Sequence, residues 1–361
     1  MADGLMAVSP TAMRREIEAI PSVVARFLDE GRAEVGAAAA AIRAAAPTFV
    51  AIVARGTSDH AAIHLRYLIE TELGIPTGLA APSVTTVYGA EIRWSGGLVI
   101  AVSQSGRSPD LLAVIEAARA AGATTVAIAN DASSPLAAAA EHVIDCRAGE
   151  EVAVAATKSY VAQLAAGAAL VAALAPDGPI AAPLTAMPAV LRSVRATSIG
   201  VVDDDSEIVA EFAASERSIV ISRGYDYPTA LETALKLKET GRLFAEGYSS
   251  ADFSHGPVVL SGPGVPVLAI RPDGPMGDAV DEGINAARAA GGSPWVVSGA
   301  EAGQGIDEGH LIRLPLPRDL PGGLAPLATI IPGQLLAEAV ARRRGYDPDA
   351  PPGLRKVTLT R

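Results

Sequence analysis

Two short hydroxyl-bearing stretches are where chemistry is first expected. Ser103-Gln104-Ser105-Gly106-Arg107-Ser108 follows the apolar, β-branched run 98–102 and precedes Pro109 and Asp110, after which Leu111, Leu112, Val114 and Ile115 recur at helical spacing. A strand-to-helix loop presents unpaired N–H groups and the positive end of a helix dipole. Gly106 lets the backbone approach a ligand and the serines add donors, so the stretch reads as a phosphate cradle. For any one of these hydroxyls the alternative is an ordinary helix cap. Arg55-Gly56-Thr57-Ser58, after the run 49–54, is a second junction of the same kind.

Three further groups stand outside the loops. Glu232, Lys236 and Glu239 are spaced by four and three, so one helix face carries all of them. Spacing alone describes a solvated salt-bridge stripe worth a few tenths of a kcal/mol. His255 is followed by Gly256-Pro257, and an imidazole fixed in a turn either serves as acid or base near neutral pH or caps its own loop. Lys356 lies in an apolar tail; there it is a solvated charge, or, if buried, an amine able to form a Schiff base. His60, His64, His142 and His310 show no metal-ligand spacing, so no metal site and no cofactor is expected.

The elements that must hold these residues follow from the hydrophobic pattern. After a helical N-terminal segment interrupted at Pro21-Ser22, short buried strands are expected at 49–54, 77–79, 98–102, 124–129 and 143–146, separated by helices. That alternation means a parallel sheet covered on both faces, with ligands at the carboxyl ends of its strands, where both hydroxyl loops fall. The second half restates the first. Ser218 to Gly224 echoes Val50 to Gly56, and the run 265–270 matches the run 98–102, but Arg271-Pro272-Asp273-Gly274 has lost the hydroxyls. One phosphate site per chain is therefore expected, in an α/β protein with a boundary near residue 200. The run 327–342 reads as a helix kinked or started late at Pro332-Gly333.

Composition narrows the function classes. The chain has 361 residues, 50% hydrophobic but only 4% aromatic, enough for two Ala/Val/Leu/Ile cores. Its 40 acidic and 29 basic residues give a net charge of −11, which argues against a nucleic-acid partner. Cys146 is the sole cysteine, so no intramolecular disulfide forms, and a buried structural thiol is expected. No secretory signal is evident, and the run 164–175 falls short of the roughly 20 residues that span a bilayer, so a cytoplasmic protein without membrane contact is expected.

Taken in order, RGTS at 55–58, SQSGRSPD at 103–110, AGEEVAVAATKSY at 148–160, ALETALKLKE at 230–239, DFSHGP at 252–257 and LRKVT at 354–358 resemble the sugar isomerase (SIS) superfamily. The likeness is to the isomerase half of glucosamine-6-phosphate synthase and to SIS-type glucosamine-6-phosphate deaminases, and runs from about residue 12 to the C-terminus. It implies two tandem flavodoxin-like SIS domains, each a parallel sheet with helices on both faces. The expected division is a helical segment over 1–30, a first domain over 31–200 with the phosphate loop, a second over 201–345, and a tail over 346–361. By the resemblance Gly56, Thr57, Ser58, Ser103, Gln104, Ser105 and Ser108 hold the sugar phosphate, and Val154 and Ala156 line the sugar. Glu239 moves a proton between C1 and C2, Lys236 lies beside the substrate, and Lys356 forms the Schiff base. His255 opens the ring and reaches into the partner subunit of a homodimer. Two departures bear on which sugar fits: Ala156 stands where synthases tend to have Ser, and Asp252 where Glu is usual.

The chain has no glutaminase motif with a cysteine nucleophile, so glutamine is not expected as nitrogen donor. The leading expectation is conversion of glucosamine 6-phosphate to fructose 6-phosphate and ammonia, with a phosphorylated sugar or aminosugar as ligand. The alternatives are another phosphosugar aldose–ketose isomerase, a galactosamine-6-phosphate deaminase, or a fructosamine-phosphate deglycase. A non-catalytic sugar-phosphate sensor is a further alternative; retention of Glu239, His255 and Lys356 disfavours it.

Overall fold

The computed structural model describes residues 10–299 and 306–356. The first half comprises α1 (Ala12–Glu18), α2 (Ile20–Glu30), α3 (Arg32–Ala45), β1 (Phe49–Val53), α4 (Thr57–Glu72), β2 (Thr77–Leu79), α5 (Pro82–Thr86), β3 (Gly97–Ser103), α6 (Pro109–Ala120), β4 (Thr124–Ala129), α7 (Pro135–Ala139), β5 (His142–Asp145) and α8 (Lys158–Leu174). The short α9 (Ala181–Leu184), then α10 (Met187–Val201) and α11 (Glu207–Ala214), lead to the second half. There follow β6 (Arg217–Ser222), α12 (Tyr227–Gly241), β7 (Phe244–Ser249), α13 (Ser250–Ser254), β8 (Pro266–Arg271), α14 (Pro275–Ala289), β9 (Ser293–Ser298), β10 (Leu311–Arg313) and α15 (Pro326–Arg343).

Each half builds a five-stranded parallel sheet. The orders are β2-β1-β3-β4-β5 and β10-β9-β8-β6-β7, which is one topology written from opposite edges. It is the flavodoxin-like order, whose switch point lies between the first and third strands. The central strand β3 is buried along its whole length, as its unbroken apolar run requires. The Arg-Gly echo is structural too: Gly56 and Gly224 follow β1 and β6 with φ of 56° and 62°, a left-handed turn glycine adopts without strain.

Several expectations are corrected. The N-terminal helix breaks at Ala19 rather than at Pro21-Ser22, because Pro21 sits in the first turn of α2, where its missing N–H is no loss. The chain breaks again at Gly31, where a Cβ would lie 2.8 Å from the Phe27 carbonyl. Helix α15 is continuous through Pro332, and Gly333 lets it lie against α12: a Cβ there would fall 2.3 Å from Thr233 Oγ1. By length and composition the segment ending in α15 could cross a bilayer, but here it is wholly buried inside the protein. Cys146, by contrast, is the buried thiol expected, just beyond β5, and burial pushes its pKa up, which leaves it inert.

Candidate active site

Five segments converge on one cavity of about 350 Å³, within the roughly 300–1,000 Å³ usual for small-ligand sites. From the first sheet come the loops after β1 and β3. From the stretch before α8 come Val154 and Ala156, from α12 Lys236 and Glu239, and from the tail Leu354, Arg355 and Lys356. Every site residue expected from the sequence lines it except His255. His255 is exposed on the turn after α13 and lies outside its own chain's cavity, as does Asp252. Val357 and Thr358, the end of the last motif, fall outside the described residues.

The phosphate-loop candidate is shaped by its own side chains. Gly106 has φ of 62°, and a Cβ there would lie 2.1 Å from Ser134 Oγ, so only glycine closes this turn without a clash. Its N–H donates to Ser103 Oγ at 3.0 Å, and Arg107 N donates to Ser105 Oγ at 3.3 Å. Both hydroxyls thus brace the loop while their own O–H groups remain available as donors. In the other loop Ser58 is buried and accepts from Gln163 Nε2 at 3.0 Å. Arg55, half-exposed at the cavity wall, donates from Nε to the buried Asp110 at 2.9 Å.

The charged face of α12 is not a solvated stripe. Glu232 and Lys236 are fully buried, because α12 packs between α15 and α4. Lys236 Nζ donates to Glu239 Oε2 at 2.5 Å and to Thr57 Oγ1 at 3.0 Å, with Glu232 Oε1 at 3.3 Å. Burial works against the ammonium, but Glu232 and Glu239 outweigh it and raise the lysine's pKa. Thr57 passes its own O–H to Glu232 Oε1 at 3.0 Å. Its hydroxyl is therefore engaged in the charge network, leaving its backbone N–H at the start of α4 to face an anion. Glu239 stays partly exposed and lines the cavity.

Lys356 is ion-paired rather than isolated among apolar groups. Its Nζ donates to Glu151 Oε2 at 3.0 Å and to the Ala153 carbonyl at 2.6 Å. Burial would raise the Glu151 carboxyl, but the Lys356 ammonium together with donors from Ser159 and Thr157 holds it below the usual range. The tail reaches this position by a clasp. Asp349 accepts from Ala12 N and Met13 N at 2.7 Å each, and its carbonyl accepts from Val154 N at 3.0 Å. Glu16 of α1 holds the same loop by accepting from Val152 N at 2.5 Å, with burial raising its carboxyl.

Sequence reasoning therefore missed Glu151, His60, Arg55, Gln163 and the buried role of Glu232. Glu151, His60 and Gln163 act through partners more than a hundred residues away, Arg55 through Asp110 55 positions on, and Glu232 through burial, none of which local spacing reports. The one signal present was Glu232 itself, on the same face as Lys236.

A match to the SIS domain model covers residues 48–173 and 211–310. The glutamine–fructose-6-phosphate aminotransferase (isomerizing) of Methanothermobacter thermautotrophicus is 37% identical over 314 residues, covering 85% of this chain and 51% of the relative. The chain thus spans about half the length of the curated relatives it matches. Among solved structures, a chain from Silicibacter pomeroyi DSS-3 described as a phosphosugar isomerase superposes with a TM-score of 0.84 at 38% identity, covering 94% of this chain and all of that one. The C-terminal domain of glucosamine-fructose-6-phosphate aminotransferase from Francisella tularensis superposes with a TM-score of 0.84 at 26% identity, covering 95% and 99%. With the first sheet inside one matched segment and β6 to β9 of the second inside the other, the chain belongs to the SIS domain family.

Proposed function

We propose that the protein is a phosphosugar isomerase acting on an aminosugar phosphate, converting glucosamine 6-phosphate and water to fructose 6-phosphate and ammonia. The observation that carries this reading is the single cavity in which an anion cradle, a carboxylate and an amine from three distant parts of the chain face one another. The hydroxyl loops and the starts of α4 and α6 anchor the phosphate, which supplies positioning energy remote from the reacting carbons. In the open-chain sugar, Glu239 takes the proton from C2, leaving an enolamine, and returns it to C1, leaving an imine at C2. Lys236, a fixed ammonium beside Glu239, stabilises the oxygen that gains charge at C1. Lys356, held by Glu151, gives an ammonium proton to the nitrogen of the C2 imine, adds to C2 and expels ammonia; water then hydrolyses the lysine imine and frees the ketose.

The reading includes a homodimer in which His255 of each copy serves the other copy's cavity. Its support is that His255 is exposed, away from its own cavity, and followed by the exposed apolar Val259 and Leu260. The test measures ammonia and fructose 6-phosphate together from glucosamine 6-phosphate, in wild type and Glu239→Gln. Stoichiometric release of both, lost in the variant, is the expected result. Turnover of a phosphosugar without ammonia would leave an isomerase and remove the deaminase. Saturable sugar-phosphate binding without turnover of any phosphosugar would make it a sensor.

A further inference from the structure

Behind the cavity wall lies a pair that neither the resemblance nor the reaction above assigns. His60 Nδ1 donates to Glu232 Oε2 at 2.7 Å; the imidazole is 16% exposed, the carboxylate fully buried, and neither lines the cavity. We propose that His60 is a positioning residue: by holding Glu232 in one orientation it keeps the Lys236 ammonium against Glu239 during proton transfer. The inference rests on the isomerase reading and deepens it.

The argument is a count of donors and acceptors. Glu232 divides its oxygens, Oε2 to His60 and Oε1 to Thr57 and Lys236. Lys236 has three hydrogens and three acceptors: Thr57 Oγ1, Glu239 Oε2 and Glu232 Oε1. Nothing in this ring is spare. When Glu239 carries the substrate's proton it is neutral, and the buried ammonium then depends on Glu232 for its counter-charge. A Glu232 carboxylate without its His60 donor has an unsatisfied buried oxygen and rotates to find a partner, drawing Lys236 away from Glu239. His60 and Thr57 are one turn apart on α4, so the same contact registers the first sheet's anion loop against the second sheet's proton-transfer helix. The expected effect is on the chemical step rather than on binding.

The test compares wild type, His60→Ala and His60→Asn, whose amide places an N–H near the position of Nδ1. Steady-state turnover of glucosamine 6-phosphate is measured beside the ζ-nitrogen NMR signals of ¹⁵N-labelled lysine. The chain has four lysines, Lys158, Lys236, Lys238 and Lys356, so the Lys236 signal can be assigned by substitution. Expected for His60→Ala is a kcat lowered about 10- to 100-fold with little change in KM, a shifted Lys236 signal, and recovery of both in His60→Asn. An unchanged kcat and Lys236 signal in His60→Ala overturns the inference, even if thermal stability falls. If the wild type turns over no phosphosugar, it is the isomerase reading that has failed, and the Lys236 signal still decides whether His60 holds the ring.

Discussion

Asp226 ends the turn that opens α12 and is buried, with Oδ1 accepting from Thr329 at 2.5 Å and Thr229 at 3.3 Å while Oδ2 has no partner. Burial, opposed by those two hydroxyls and reinforced by Asp273, lifts its carboxyl from 3.8 to about 6. A raised acid pKa means the folded state holds this proton more tightly than the unfolded chain does. The group's contribution to stability is therefore greatest at low pH and is lost as pH rises from the unfolded value through about 6. The full cost of ionisation is about 3 kcal/mol, from a difference of roughly two pKa units at 1.36 kcal/mol each. About 2 kcal/mol of it develops between about pH 4.5 and about pH 7.5. Asp226→Asn removes that titration. The amide's extra N–H, facing the unpartnered side, adds a penalty that does not depend on pH and cancels from the slope. So does buried His64, whose pKa is depressed to about 4 by burial in both proteins. Urea unfolding of both proteins across this range is the assay. The variant's stability relative to wild type should climb by about 2 kcal/mol with rising pH. A flat or falling difference would refute the buried-charge account.

Gly106→Ala puts a methyl group 2.1 Å from Ser134 Oγ at a φ of 62°. It should cost about 1–3 kcal/mol in urea unfolding and weaken sugar-phosphate binding in calorimetry; an unperturbed affinity would mean the loop is not the anion cradle. Lys236→Met leaves the buried Glu232 without its cation. A loss of about 3–5 kcal/mol is expected, and Glu232→Gln in the same chain should restore part of it, as a double-mutant cycle would show.

Much of the fold was legible because apolar strands buried on both faces carry an unambiguous pattern. Strand β3 and the loop that follows it could be placed from residue types alone, since an unbroken apolar run, a glycine and serines before Pro109 admit few structures. The edges were harder. Strand β7, Phe244–Ser249, carries no apolar run, with Phe244 exposed and a glycine in its middle, and only pairing with β6 makes it a strand. The helix-face spacing of Glu232, Lys236 and Glu239 was visible, but spacing reports which residues share a face and not what covers it. Here α15 and α4 cover it, and a stripe worth tenths of a kcal/mol becomes a buried charge ring.

The two sheets are copies in topology but not in work, and the junctions after β1 and β6 show why. Gly56 and Gly224 both take positive φ after their strands, and two residues on, Ser58 and Asp226 are both buried. In the first sheet that position is a hydroxyl beside a cavity of about 350 Å³. In the second it is a carboxylate beside a cavity of about 80 Å³ walled by Arg271, Asp273, Leu316, Leu320 and Thr329, with Arg271 paired to Asp281. Two carboxylates in so small a space, beside a guanidinium already paired to Asp281, disfavour a phosphate at this second crevice. The second sheet reaches the first sheet's cavity through the helix that follows: α12 runs away from Asp226 and brings Lys236 and Glu239 to it. In the proposed reaction the anchor lies on one sheet and the proton-transfer groups on the other, so alignment between the sheets becomes a condition of that chemistry. Glu232, bound at once to α4 and to its own helix, is a contact that ties the two together.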